Sequence, residues 1–122
     1  MFKLVDESQG YWTQVSITVP LPNGGTRVKK LRGRFRYLTQ TRIDDILTRG
    51  VSQDQEADEE SKGLLDEVLL EWDNFTDKDD ETIAFNEENR RQALDTPFIR
   101  SGFLQAFFKS INGNGEQARV KN

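Results

Sequence analysis

The C-terminal segment sets the hardest constraint on what this chain can fold into. After Thr96-Pro97 come Phe98, Ile99, Phe103, Leu104, Ala106, Phe107, Phe108 and Ile111, before Asn112-Gly113-Asn114-Gly115. Thr96 is an N-cap type and proline is tolerated at the first helical position, so the run reads as a helix. Arg100, Gln105 and Lys109 are among its few polar positions. A helix that is apolar on nearly all sides has to be enclosed. With 122 residues there is material for one core only. One face of the helix is therefore expected on that core, with the surplus face covered by another chain.

The partner layer is written at the other end. Tyr11, Thr13, Val15, Ile17 and Val19 alternate with Trp12, Gln14, Ser16 and Thr18, a period of two that reads as a half-buried strand. Pro20-Leu21-Pro22-Asn23-Gly24-Gly25 supplies a reversal. Leu31, Gly33, Phe35 and Tyr37 then alternate with Lys30, Arg32, Arg34 and Arg36, which predicts an antiparallel hairpin, joined by a short strand at Phe2 to Val5.

After Leu38 the period lengthens. Thr39 can cap a short helix burying Ile43, Ile46 and Leu47, with Gly50 as its left-handed terminus. Residues 52–62 are almost wholly polar and read as a loop or an exposed helical turn. Leu64, Leu65, Val68, Leu69 and Trp72 have helical spacing. An acidic connection follows over residues 73–81. Phe85 can staple a further helix that Asn86 caps and that Glu87 and Glu88 favour in its first turn. The expected fold is α+β: one domain over 1–122, with an N-terminal antiparallel β-hairpin or small sheet (1–38), three to four helices (39–111) and a flexible tail (112–122).

Composition removes most catalytic chemistry. There is no Cys and no His, hence no thiol nucleophile, disulfide, thiolate or imidazole ligand, or neutral-pH imidazole base. No carboxylate stands in a recognisable catalytic motif and there is no Walker-type phosphate loop. The expectation is a protein that is not an enzyme and uses no cofactor. Asp77, Asp79, Glu81 and Glu88 fall at positions 1, 3, 5 and 12 of a possible calcium loop, but Thr82 stands where the sharp turn wants glycine and Lys78 sits beside the ligands. A solvated acidic loop is the better reading, and no metal is expected. No apolar run is long enough for a signal peptide or a membrane span.

Charge is distributed in blocks. Residues 1–50 carry nine Lys/Arg against four Asp/Glu, residues 51–97 four against sixteen, and residues 98–122 four against one, within a net charge of −4. Such blocks can attract one another within a fold or between copies, so self-association is a candidate. Lys30, Arg32, Arg34 and Arg36 could follow a phosphate backbone, making a single-stranded nucleic-acid binder one alternative. The acidic middle block argues against it, and no nucleic-acid partner is expected.

The order of several elements resembles a known family. Arg34-Phe35-Arg36-Tyr37-Leu38, Leu69-Leu70-Glu71-Trp72-Asp73, Ala84-Phe85-Asn86-Glu87-Glu88-Asn89, Leu94-Asp95-Thr96-Pro97, the aromatic helix from Phe98 and the final Val120-Lys121-Asn122 look like the tail assembly chaperones of long-tailed bacteriophages. The chain departs from that pattern in lacking a turn glycine after Asp79-Asp80 and in carrying Gln40 at a position often occupied by proline. The resemblance implies a non-enzymatic protein of the host cytoplasm that binds the tape-measure protein, recruits tail-tube subunits and is absent from the finished virion. A structural tail-completion protein is the second alternative. Candidate contacts for an apolar helical partner are Trp72, Phe98, Phe103, Phe107 and Phe108, with Lys30, Arg32, Arg34 and Arg36 as candidates for electrostatic docking.

Overall fold

The computed structural model describes residues 9–48 and 59–113. Strands β1 (Tyr11–Pro20) and β2 (Thr26–Phe35) form the expected hairpin, in register from Tyr11 opposite Phe35 to Pro20 opposite Thr26. The reversal is closed by Leu21 N–H to Gly25 O at 2.9 Å and Gly24 N–H to Leu21 O at 3.0 Å. Helices α1 (Gln40–Thr48) and α2 (Glu59–Val68) follow, then strand β3 (Leu69–Asp73), helices α3 (Glu87–Leu94) and α4 (Pro97–Phe108), and a π-helical turn over Lys109–Gly113. The sheet is antiparallel with order β1-β2-β3. The α+β architecture is as expected. The expected strand at Phe2 to Val5, the cap at Gly50, the side chains of Ile46 and Leu47 and the C-terminal tail lie outside the described residues.

The third strand corrects the reading of residues 64–72 as one helix. Leu69 and Trp72 are three apart and both buried, which imitates a helical face. In the structure they belong to β3, where the register shifts: Glu71 pairs with Arg34, yet Leu69 pairs with Phe35. Leu70 is left without an opposite residue, and that bulge lets two side chains three apart point to the same side.

Passing from α2 to β3 with no intervening loop leaves the last carbonyls of α2 without helical partners. Basic groups from two other elements take them. The Arg36 backbone N–H donates to Val68 O at 2.8 Å and its Nε to Glu67 O at 3.1 Å. Arg90 donates from Nη2 to Leu65 O at 3.1 Å and Asp66 O at 2.7 Å, and from Nη1 to the Asp66 carboxylate at 2.9 Å. Arg42 ties α1 to α2 through both oxygens of Glu67. Thr39 and Asn86 accept from Arg42 N–H and Asn89 N–H, respectively, as N-caps should. Thr96 stands at the α4 N-cap position, but its hydroxyl donates to Gln92 O at 2.9 Å, closing α3 instead of capping α4.

Helix α4 is enclosed by its own chain. Phe103, Leu104 and Phe107 are fully buried, and Ala106 and Phe108 nearly so, in one cluster with Val15, Ile17, Leu31, Phe35, Leu65 and Trp72. The helix packs chiefly against β1, and Gly102 permits the approach: a Cβ there would lie 2.8 Å from Ser16 O and from Ile17 Cγ1. At the other end of β1, Gly10 has φ of +67° beside Phe35 O, a conformation and a clearance that exclude a side chain. Ser110 donates to Phe107 O at 2.6 Å, which uses its only proton, so the 2.6 Å contact with Tyr11 is donated by the phenol.

Substitutions at Gly102, Gly63 and Tyr11 test this packing. Gly102→Ala gains about 1 kcal/mol of helix propensity but meets backbone. The expected net effect is a lower denaturant midpoint, with Gly102→Val losing about 1–3 kcal/mol. Gly63→Ala, in open space on α2, should instead raise the midpoint by about 0.5–1 kcal/mol of stability. Burial first, reinforced by Tyr37, raises the Tyr11 phenol above its ordinary value. Its contribution to stability is then fully present below about pH 10 and is lost as pH rises through the elevated folded value. Tyr11→Phe should remove the late phase of an ultraviolet tyrosine titration and cost about 1 kcal/mol at neutral pH.

Candidate functional site

The core thins toward the hairpin turn. Along the inward row of β2, Phe35, Gly33 and Leu31 give way to Lys29 and Arg27, which stand opposite Ile17 and Val19. Cations on that row cannot be packed as a core, so they extend outward along their aliphatic stems. An apolar groove of about 310 Å³ opens at this end. Its floor is Ile17 and Val19, one wall is Phe75 and Ile83 from the β3–α3 connection, and the other is Phe98 and Ile99 from the first turn of α4. Arg27, Lys29 and Lys78 stand at its mouth. A second depression of about 150 Å³ shares Phe75, Ile83 and Ile99 and continues the groove toward Asn89, Gln92 and Thr96.

Trp72 holds the wall in place from below. Its Nε1–H donates to Ile83 O at 2.7 Å, and its ring meets Phe75 and Phe85 edge-on at 5.0 and 4.9 Å and stacks on Phe103 at 5.9 Å. The connection is also braced internally. Thr76 bridges Thr82, and one oxygen of Asp77 accepts from Asp79 N–H and Glu81 N–H at 2.8 and 3.0 Å. Asn74 and Asp80, both with φ of +63°, make the sharp bends. The Asp77 carboxylate thus serves the turn, and among the described residues no three acidic side chains gather as a metal site.

The aromatic candidates divide accordingly. Phe98 is half-buried and lines the groove, whereas Trp72, Phe103, Phe107 and Phe108 are at most 4% exposed. Those four shape the groove or the core beneath it and present no ring to a partner.

The basic candidates lie away from the groove. Lys30, Arg32 and Arg34 share the outer face of the sheet with Trp12, which is 39% exposed. Arg32 sits 4.7 Å over the Trp12 ring and 4.0 Å from Asp73, and Arg34 pairs with Glu71 at 3.0 Å and donates to Gln9 O at 2.6 Å. Arg36 is engaged at the α2 terminus. Lys30 is exposed.

Reasoning from sequence missed Arg27, Lys29, Phe75, Lys78 and Ile83. A signal for the first two was present: they fall in phase with Leu31 and Phe35, and cations on the inward phase of a strand mark the place where its core ends. Phe75 and Ile83 carry no periodicity, being isolated apolar residues in an acidic loop.

No family model, curated protein or solved structure matches this chain. Among the described residues, no helix is long and apolar enough to cross a membrane.

Trp72→Phe keeps an aromatic ring but orphans Ile83 O. It should lower stability by about 1–3 kcal/mol, with amide exchange accelerated over residues 74–86 more than in β1 and β2. Uniform acceleration across all elements would contradict the assigned role of Trp72 as the prop of that wall.

Proposed function

We propose that this chain is a phage tail assembly chaperone that holds an apolar helical segment of a tape-measure protein in the groove between the hairpin and α4. The observation that carries the reading is the groove itself, an open, apolar channel walled by Phe75, Ile83, Phe98 and Ile99. An amphipathic helix laid into an apolar groove is a common mode of peptide recognition. The resemblance of the elements around Trp72, Asn86 and Pro97 to those chaperones supports the assignment of the partner. A tape-measure chain is long and largely helical, and its apolar stretches need cover until the tube encloses them.

The same geometry suits a partner that has to be released. The groove is half-open to solvent, so a bound segment keeps part of its surface in water, and affinity remains moderate. The outer face of the sheet lies opposite the helical layer, which leaves it for the tail-tube subunit. Production in the host cytoplasm and absence from the virion belong to the same proposal.

Co-expression tests it. The wild-type chain should keep its tape-measure protein soluble, and Phe98→Asp, which places a carboxylate in the groove wall, should let it precipitate. Phe107→Asp is no test, because that ring is fully buried and the change unfolds the domain. Ile83→Gln provides a milder second variant in the opposite wall. If both variants kept their native circular dichroism and still protected the tape measure, the groove would not be the binding site.

A further inference from the structure

We propose that the groove selects a segment bearing carboxylates at one end of its apolar face, and that Arg27, Lys29 and Lys78 recognise them. This rests on the groove being the binding site proposed above. It adds the chemistry of the occupant and the direction in which it lies.

Three observations carry the inference. The mouth cations are unpaired: Arg32, Arg34, Arg42 and Arg90 each make an ion pair within the chain, whereas Arg27, Lys29 and Lys78 make none among the described residues. Asp77 also lines the groove, so three cations face one carboxylate there; that carboxylate makes no ion pair with them and directs an oxygen to two backbone N–H groups of its own turn, and the contact of Lys29 Nζ is with the Asp77 carbonyl, at 3.4 Å. Finally, the groove is polar in different ways at its two ends. Cations stand at the hairpin end, and the far end has the uncharged Asn89, Gln92 and Thr96. An apolar segment with carboxylates at one end is therefore matched in one direction and mismatched in the other.

The setting strengthens the selection. The chain as a whole is acidic, with sixteen Asp/Glu against four Lys/Arg over residues 51–97, so an acidic segment is repelled over much of the surface. Local attraction at the groove mouth then acts as a guide to it, raising the association rate and with it the affinity, and setting the orientation of the partner.

The test uses the full-length protein and two synthetic amphipathic helical peptides with the same leucine and phenylalanine face. One carries a cluster of glutamates at one end and the other carries glutamines there. By fluorescence anisotropy at about 50 mM salt, the glutamate peptide should bind about tenfold more tightly, a preference that fades toward about 500 mM salt. The triple variant Arg27→Gln, Lys29→Gln, Lys78→Gln should lose the preference and bind the glutamine peptide as the wild type does. The substitutions are at the groove mouth, with Arg27 and Lys78 exposed, so the fold should not be at risk. Equal binding of the two peptides by the wild type, a preference that survives in the triple variant, or no binding of either peptide would each overturn the inference. The two readings fail separately. A protected tape measure with no peptide preference sinks the charge selection alone, and the expected peptide behaviour with an unprotected tape measure sinks the chaperone assignment alone.

Discussion

The close approach of α4 to β1 is the contact on which the rest of the structure depends. A helix carrying Phe103, Leu104, Phe107 and Phe108 has to be surrounded, and a three-stranded sheet can cover only one side of it. Gly102 brings the helix onto the β1 backbone, which leaves its remaining sides to α2, α3 and the β3–α3 connection. Enclosure has a polar cost. Arg100 is 2% exposed, with Nη1 donating to Leu94 O at 2.7 Å and Nε and Nη2 without partners. A guanidinium at the carbonyl end of α3 is favoured by the helix dipole, which offsets part of the desolvation. Its bond joins the last residue of α3 to the first turn of α4, next to Phe98 and Ile99.

The arginine-capped junction between α2 and β3 has an equally specific consequence. Because β3 begins where α2 ends, Trp72 enters the sheet at a set distance from the helix, directly beneath the connection that forms the groove wall. Arg36 and Arg90 are therefore structural cations, although charge patterning alone marks Arg36 for a partner. The charge blocks of the sequence are used in part within the molecule: Arg34 with Glu71 and Arg42 with Glu67 join the basic first block to the acidic middle block, and Arg90 with Asp66 closes a pair within the middle block itself. These pairs are partly exposed and add little stability individually; their geometry orients the elements.

Legibility in the sequence followed the range of the interactions involved. The hairpin, the caps at Thr39 and Asn86 and the extent of α4 all depend on neighbours within a few residues, and each could be read directly. Strand β3 could not, because a bulge opposite Phe35 gave Leu69 and Trp72 a helical spacing. Of the aromatic candidates only Phe98 lines the groove, and the other four lie in the core beneath it. A sequence shows that Phe103 and Phe107 have to be covered but not by what, and here the chain covers them itself. The groove was hidden for a related reason: its walls come from residues near 17, 75, 83 and 98, which only the tertiary fold brings together.

That the groove lies where it does follows from the thinning of the core. The inward row of a ten-residue strand cannot be apolar throughout when the helix packed on it ends short of the turn, and Lys29 and Arg27 occupy the excess. Replacing them with leucine would extend the apolar surface and invite closure of Phe98 onto Val19, or pairing with another copy. Their charges keep the mouth hydrated and open while leaving the floor apolar. The rim charges that keep the floor open to solvent are the same ones on which the proposed selection between partners rests.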